Sequence, residues 1–294
     1  MISTHQRDRP VSDIVDLLDL EKIGEDCFRG YSPATAGKQV YGGQAVAQAL
    51  VAATRTVETN RPVHSLHAYF ILAGDPRRPI DFTVARLRDG KSFTTRRCDA
   101  SQDGRIIFSL TASFQSQEDG LAHATPMPSV PDPESLDDAN ALIKRFQGFL
   151  PQPAKIWLER PCPLEMRIVS PQDVLLPEQP PKARKLIWFR MKESLPQDQA
   201  LHRALIAYLS DMTLLNTALL AHGRTIFDPQ LQVASVDHAL WFHSDAWVDD
   251  WLLFAQESPI SGQARALTRG QIFSRAGALV ASVAQEGLIR LRDK

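Results

Sequence analysis

Cysteine is scarce in this chain: Cys27, Cys98 and Cys162 are the only three in 294 residues. An odd, widely spaced set of thiols suits reduced side chains better than a disulfide framework or a zinc site. Long apolar runs are missing too. No segment reaches the roughly 18 uninterrupted apolar residues of a membrane helix, and MISTHQRDRPVSDIVDLLDLEKI at the start has no apolar stretch of signal-peptide type, so the expectation is a cytoplasmic protein with no membrane partner. An excess of one charge is equally absent: the net charge is −1, with no clustered Lys/Arg stripe. That argues against nucleic acid as a partner and leaves small molecules or proteins. Several catalytic motifs are missing as well. GYSPA at 30–34 lacks the second glycine of a nucleophile elbow, and there is no GxGxxG, P-loop or HExxH, so neither a cofactor nor a metal is implied.

What the chain does have is an internal repeat. A hydrophobic content of 44% supplies one large or two ordinary domains. Phe70, Gly90 and Gly104 punctuate HSLHAYF, RDGKSF and DGRIIFSLTASF; Phe242, Gly262 and Gly277 punctuate VDHALWF, ISGQAR and AGALVASVAQ at matching intervals. Both halves read as a helix followed by an antiparallel meander. The first has a short amphipathic helix around Ile14, Leu17, Leu18 and Leu20, with Ser12 or Asp13 as N-cap. An Ala-rich helix opened by Gly42 and Gly43 follows, then strands at 65–71, 80–87, 93–102 and 105–115. A Pro-rich stretch holds a helix near 133–150. The second half predicts strands at 164–169 and 186–192, a long helix over 197–221, and strands at 231–243, 251–258, 264–274 and 278–291.

A long helix on a curved antiparallel sheet, occurring twice, is the α+β double hot-dog architecture. The expected division is an N-terminal unit over 1–117, a linker over 118–163 and a C-terminal unit over 164–294 that carries the site. Seven segments in order, LEKIGEDCFRG, VYGGQAVAQAL, VHSLHAYFILAGDPRRPI, RLRDGKSFTTRR, LSDMTLLNTAL, SVDHALWFH and SVAQEGLIR, closely resemble acyl-CoA thioesterase II proteins along nearly the whole chain. The resemblance implies hydrolysis of fatty acyl-CoA to free acid and coenzyme A. By analogy with other double hot-dog proteins, a homodimer or homotetramer is expected.

Comparison of the two halves singles out three polar side chains. Asp211 lies within the apolar stripe formed by Ala204, Ala207, Tyr208, Leu214, Leu215 and Ala218, where a charge is costly unless satisfied; its counterpart in the first helix is read as Gln44. Gln285 interrupts the alternating row Leu279, Ala281, Val283 and Ile289, and an offset of 173 residues places it on Ala112. Ser235 falls on Val63 at an offset of 172. A locally capped Asp, an amide bonded to the next strand and an ordinary strand serine are the structural alternatives. The resembled family uses an Asp, Thr and Gln triad that organises a water for attack on the thioester. Asp211 and Gln285 match it, and Ser235 departs from Thr by a methyl that would stiffen its rotamer.

A thioester carbonyl is electrophilic and thiolate leaves readily, so a positioned water with a base suffices. Asp211 would take the proton, Ser235 and Gln285 would orient the water, and amides at a helix start would hold the oxyanion. His238 reads as a core histidine sharing a face with Ala234, Val236, Leu240 and Phe242, while His64, beside Val63, is a candidate for substrate contact. Arg77, Arg78, Lys91, Arg96, Arg97, Arg265 and Arg269 are candidates for coenzyme A phosphates or simply solvated charges. Two other readings stand beside hydrolysis. One is hot-dog hydratase or dehydratase chemistry, whose Asp-x₄-His spacing meets Phe242 from Asp237 and Asn216 from Asp211. The other is non-catalytic acyl-CoA binding.

Overall fold

In the computed structural model, which describes residues 14–33, 37–150, 152–159, 163–171 and 182–292, the repeat in the sequence becomes a repeat in space. The first half runs α1 (Ile14–Leu18), β1 (Glu21–Gly24), β2 (Cys27–Gly30), α2 (Gly42–Thr54), β3 (Val63–Phe70), β4 (Ile80–Asp89), β5 (Phe93–Gln102) and β6 (Arg105–Gln115). A 3₁₀ turn at Pro133–Ser135, α3 (Ala139–Arg145) and α4 (Gln152–Glu159) connect it to the second half. That half comprises β7 (Leu164–Ile168), β8 (Arg184–Met191), α5 (Gln199–Ser210), α6 (Asn216–Leu220), β9 (Leu231–Ser235), β10 (Asp237–Phe242), β11 (Leu252–Gly262), β12 (Arg265–Ser274) and β13 (Leu279–Leu291).

All the strands join one antiparallel sheet of order β1-β2-β4-β5-β6-β3-β10-β13-β12-β11-β8-β7, with β9 paired to β13. Read from its centre, the order is the same outward in both directions. In each half three strands form a meander, β4-β5-β6 and β11-β12-β13, and the strand expected to open it, β3 or β10, crosses over to lie beside the last of the three instead. A hairpin or strand pair extends the far side, and the halves meet where β3 pairs with β10, Leu66 opposite Leu240. This is the double hot-dog arrangement.

The helices lie on one face. Helix α2 is built from small residues because it is enclosed: Val46, Ala47, Ala49, Ala52 and Ala53 are fully buried, and it packs against β4, β5, β6 and α5. Asp198 starts α5 by accepting from the Ala200 N–H at 2.9 Å, a side-chain cap. The start of α2 and the end of α5 approach so closely that a Cβ on Gly43 would sit 2.2 Å from the Tyr208 carbonyl oxygen. Only glycine fits there, and the Tyr41 hydroxyl ties the same carbonyl at 2.8 Å. On the other face of the second half, the segment before α3 covers Trp188, Trp251, Leu253 and Phe273, and Trp188 Nε1 donates to the Pro131 carbonyl at 3.0 Å.

Several sequence expectations change. The hairpin β1–β2 is absent from the sequence reading because its first strand is short, charged and mostly exposed. The helix expected over 133–150 is a 3₁₀ turn followed by α3, with α4 beyond it. The helix expected over 197–221 breaks between Ser210 and Asn216, and the strand expected over 231–243 breaks at Val236. Ser12, Asp13 and Cys162 lie outside the described residues.

Candidate active site

The two breaks build the site. In β9 the inward residues are Leu231, Val233 and Ser235; in β10 they are His238, Leu240 and Phe242. Alternation along a continuous strand cannot put Ser235 and His238 on one face, so the irregularity at Val236 resets the phase, as β-bulges near functional sites do. The Val236 N–H donates to the Glu286 carbonyl at 3.0 Å, and Asp237 Oδ1 accepts from the Glu286 N–H at 2.6 Å. This corrects the grouping of His238 with Ala234, which is exposed. The first half repeats the irregularity between Val63 and Ser65. Val63 pairs with Phe114 there as Ser235 pairs with Gly287 here, so the register upholds Val63 and Ala112 as the counterparts of Ser235 and Gln285.

The helix break supplies the carboxylate. Ser210 turns its hydroxyl back onto the Ala207 carbonyl at 2.9 Å, a bond that competes with helix continuation, and Asp211 becomes the C-cap of α5. Its counterpart in the sequence reading, Gln44, sits in the first turn of α2 bonded to Ser32 at 2.9 Å, and α6, which begins shortly after Asp211, lies on β8, β11 and β12 as α2 lies on β2, β4 and β5. Helices of different length separated by unequal loops do not share the offset of the strands.

The structure brings Asp211, Ser235 and Gln285 together. Gln285, fully buried on the inward row of β13, donates through Nε2 to Asp211 Oδ1 at 2.5 Å and to Ser235 Oγ at 2.9 Å. Ser235 Oγ in turn donates to Asp211 Oδ1 at 3.2 Å. This orientation of the amide follows from the network, since only its nitrogen can donate to a carboxylate. Gln285 Oε1 is buried without a protein partner among the described residues, leaving a free acceptor beside the cluster. Asp211 Oδ2 points the other way, to the start of α2, where a Cβ on Gly42 would lie 2.5 Å from it and 2.9 Å from Phe70 Cε1. A carboxylate at the C-terminal end of α5 faces the negative end of that helix's dipole. At the N-terminus of α2 it meets the positive end, where first-turn amides have no intrahelical acceptor.

His238 lies beneath the cluster, fully buried, with Nε2 2.8 Å from Ser210 Oγ. The Ser210 hydroxyl proton is committed to Ala207, so His238 carries its proton on Nε2. Burial holds its pKa below the ordinary histidine value despite Asp211 and Asp237 nearby, so it is a neutral core residue and not a cation paired with Asp211. His64 does not join the cluster. It bonds Ser113 Oγ at 2.8 Å and packs edge-on to Phe93, at the opposite end of β3 from Phe70, roughly 20 Å away at the usual strand rise. Of the basic candidates, Arg77, Arg97, Arg265 and Arg269 pair with Asp75, Asp99, Glu286 and Glu257. Arg78 is shared between Asp75 and Asp103. Arg96 is interior, holding Thr56 Oγ1 at 2.9 Å just after α2, and cannot meet a ligand from outside.

Comparison with known proteins follows the same division of the chain. Residues 31–115 match the family described as acyl-CoA thioesterase N-terminal domain, and residues 179–288 match that described as acyl-CoA thioesterase. Among curated proteins, the chain is 37% identical to acyl-CoA thioesterase 2 of Haemophilus influenzae, over 96% of this chain and 99% of that protein. It is 38% identical to acyl-coenzyme A thioesterase 8 of Mus musculus, over 96% and 90%. Among solved structures it is similar to the acyl-CoA thioesterase II TesB2 from Mycobacterium marinum, with 41% identity, a TM-score of 0.78 and coverage of 94% and 98%.

Proposed function

Because this chain belongs to the acyl-CoA thioesterase family, we propose that it hydrolyses fatty acyl-CoA at the cluster of Asp211, Ser235 and Gln285. The observation that carries the assignment is the convergence of two polar side chains, from two strands, on one oxygen of a carboxylate at a helix end, beside the start of a second helix. A half-buried carboxylate with two donors on one oxygen has a fixed direction, and its other oxygen faces the place where a substrate carbonyl would meet the amides of Gly42 and Gly43.

In this reading a water molecule between Asp211 Oδ2 and the free Gln285 Oε1 attacks the thioester carbon. Asp211 takes the water proton, and the carbonyl electrons move to oxygen, held by the first-turn amides of α2. The tetrahedral intermediate collapses by breaking the carbon–sulfur bond, and the proton on Asp211 passes to the departing thiolate. The products are the free acid and coenzyme A. Ser235 and Gln285 hold Asp211 in place throughout. One site per chain follows, because Val63 and Ala112 leave the first half without the hydroxyl and the amide.

The division into units 1–117 and 164–294 around a linker at 118–163 is part of the same reading, supported by the repeat of strand order about β3 and β10. No helix among the described residues is long and apolar enough to cross a membrane, in keeping with a cytoplasmic setting. Exposed Tyr69 at the end of the central strand β3 and exposed Ile71 just beyond it support association into a homodimer or homotetramer. The deciding experiment is Asp211→Asn, with release of free thiol from a series of acyl-CoAs as the readout. The expected result is a folded protein with turnover down by about a hundredfold or more. Near-normal turnover in a folded variant would refute the assignment, and hydration of an enoyl-CoA without thiol release would replace it.

A further inference from the structure

Two residues beyond Asp211 the backbone is gripped from the sheet by two buried polar side chains that the chemistry above does not use. Lys185 on β8 is 4% exposed, and its ammonium donates to the Thr213 carbonyl at 2.7 Å. Its cross-strand neighbour Gln256 on β11 is 3% exposed. It donates through Nε2 to Thr213 Oγ1 at 2.8 Å and accepts from Thr217 Oγ1 at 2.9 Å. Both side chains therefore act on one residue, Thr213, in the middle of the helix break, and Gln256 also reaches Thr217 on α6.

A lysine without a carboxylate is costly to bury. No carboxylate pairs with Lys185 among the described residues, and burial alone pulls its pKa down to about 7. What the site gains is backbone geometry. The segment between α5 and α6 leaves carbonyls without helical partners, and the sheet supplies the missing donors at the negative end of the α5 dipole. Comparison of the halves points the same way. The residue 172 positions before Gln256, on the equivalent strand β4, is Val84, buried and apolar. In the first half Arg96 grips Thr56 after α2, but that arginine is ion-paired to Asp89 and the helix simply ends. Only in the half that carries Asp211 does the sheet hold a break open so that a helix resumes beyond it.

We infer that Lys185 and Gln256 are positioning residues for thioester hydrolysis: by fixing Thr213 they set the helix break and hence the direction of the Asp211 carboxylate. This rests on Asp211 acting as the base. The test uses Lys185→Met, Gln256→Met and Thr213→Val in the full chain, with Asp211→Asn alongside, reading the melting curve and the separate kcat and KM for thiol release. The expected outcome is folded variants whose kcat falls by about tenfold or more while KM stays within about twofold, because misdirection of the base affects the chemical step and not ground-state binding. Thr213→Val removes only a hydroxyl from a half-buried position, so it keeps the question answerable if a buried variant fails to fold. Parental kcat in the folded variants, or a change confined to KM, overturns the inference. If Asp211→Asn is inactive while these three turn over normally, only the positioning role fails. If Asp211→Asn itself turns over normally, the base assignment fails and this inference with it.

Discussion

Replacing Gln285 by Met separates the chemistry of the cluster from its packing. Gln285 is fully buried, and its Nε2 is the closer of two donors on Asp211 Oδ1, at 2.5 Å against 3.2 Å for Ser235. Methionine has nearly the same length and volume but no donor. A hydrogen bond to a charged group is worth about 1.5–3 kcal/mol. If that energy holds Asp211 in its reactive direction, its loss lowers kcat/KM by roughly 10- to 150-fold at about 1.4 kcal/mol per factor of ten. The fold should barely notice. The substitution also removes Oε1, the acceptor proposed to hold the attacking water, which has no protein partner among the described residues, so its loss adds to the kinetic effect and not to the cost in stability. A volume-conserving change costs less than about 1.5 kcal/mol. Thiol release from an acyl-CoA, measured beside a thermal melt, reads both quantities. A Gln285→Met protein that melts near the parent yet keeps kcat/KM within about threefold would refute the reasoning, because Asp211 would then need no direction from β13.

Ser235 should matter less than Gln285, since its bond to Asp211 is longer. Ser235→Ala is expected to cost only a few-fold in kcat/KM, and Ser235→Thr, which keeps the hydroxyl and restricts its rotamer, to match or exceed the parent; a larger loss from Ser235→Ala than from Gln285→Met reverses the ranking and the model of the network with it. Lys185 predicts a pH dependence of stability. Its folded pKa of about 7 lies below the ordinary lysine value of 10.5, so between those values the unfolded chain holds a proton that the folded chain does not. Its contribution to stability therefore rises with pH across that window, by up to roughly 4–5 kcal/mol in full. Urea titrations of the parent and Lys185→Met between about pH 6.5 and 9 should show the parent gaining on the variant as pH rises. A difference that stays constant with pH excludes a buried, titrating Lys185.

Much of the fold could be read from short-range pattern. The strands expected over 93–102 and 105–115 are where the structure puts them, because one face of each is buried and Gly104 takes the left-handed turn between them at φ +75°. Ser235 and Gln285 could be singled out because paired strands keep a constant offset between the halves. His64 stood out only by lying next to Val63, and the structure places it at the other end of β3 from the cluster, bonded to Ser113.

What the sequence determined by itself was the repeat, the alternation that buries one face of each strand, and the presence of a carboxylate, a hydroxyl and an amide where the other half is apolar or neutral. Those are properties of neighbouring residues and of spacing. The meeting of the three was decided by tertiary structure. The apolar spacing runs unbroken through Asp211 to Ala218, so that spacing does not end the helix there, and the back-bond of Ser210 to Ala207 is the one local competitor among the described residues. The break exists because Lys185 and Gln256, distant in sequence and adjacent across β8 and β11, satisfy Thr213 in place of helical partners. The phase reset at Val236 that turns Ser235 inward likewise depends on Glu286 and Phe70 from other strands. Hydrogen bonds between segments far apart in the chain leave no periodic trace in it, and those bonds direct Asp211.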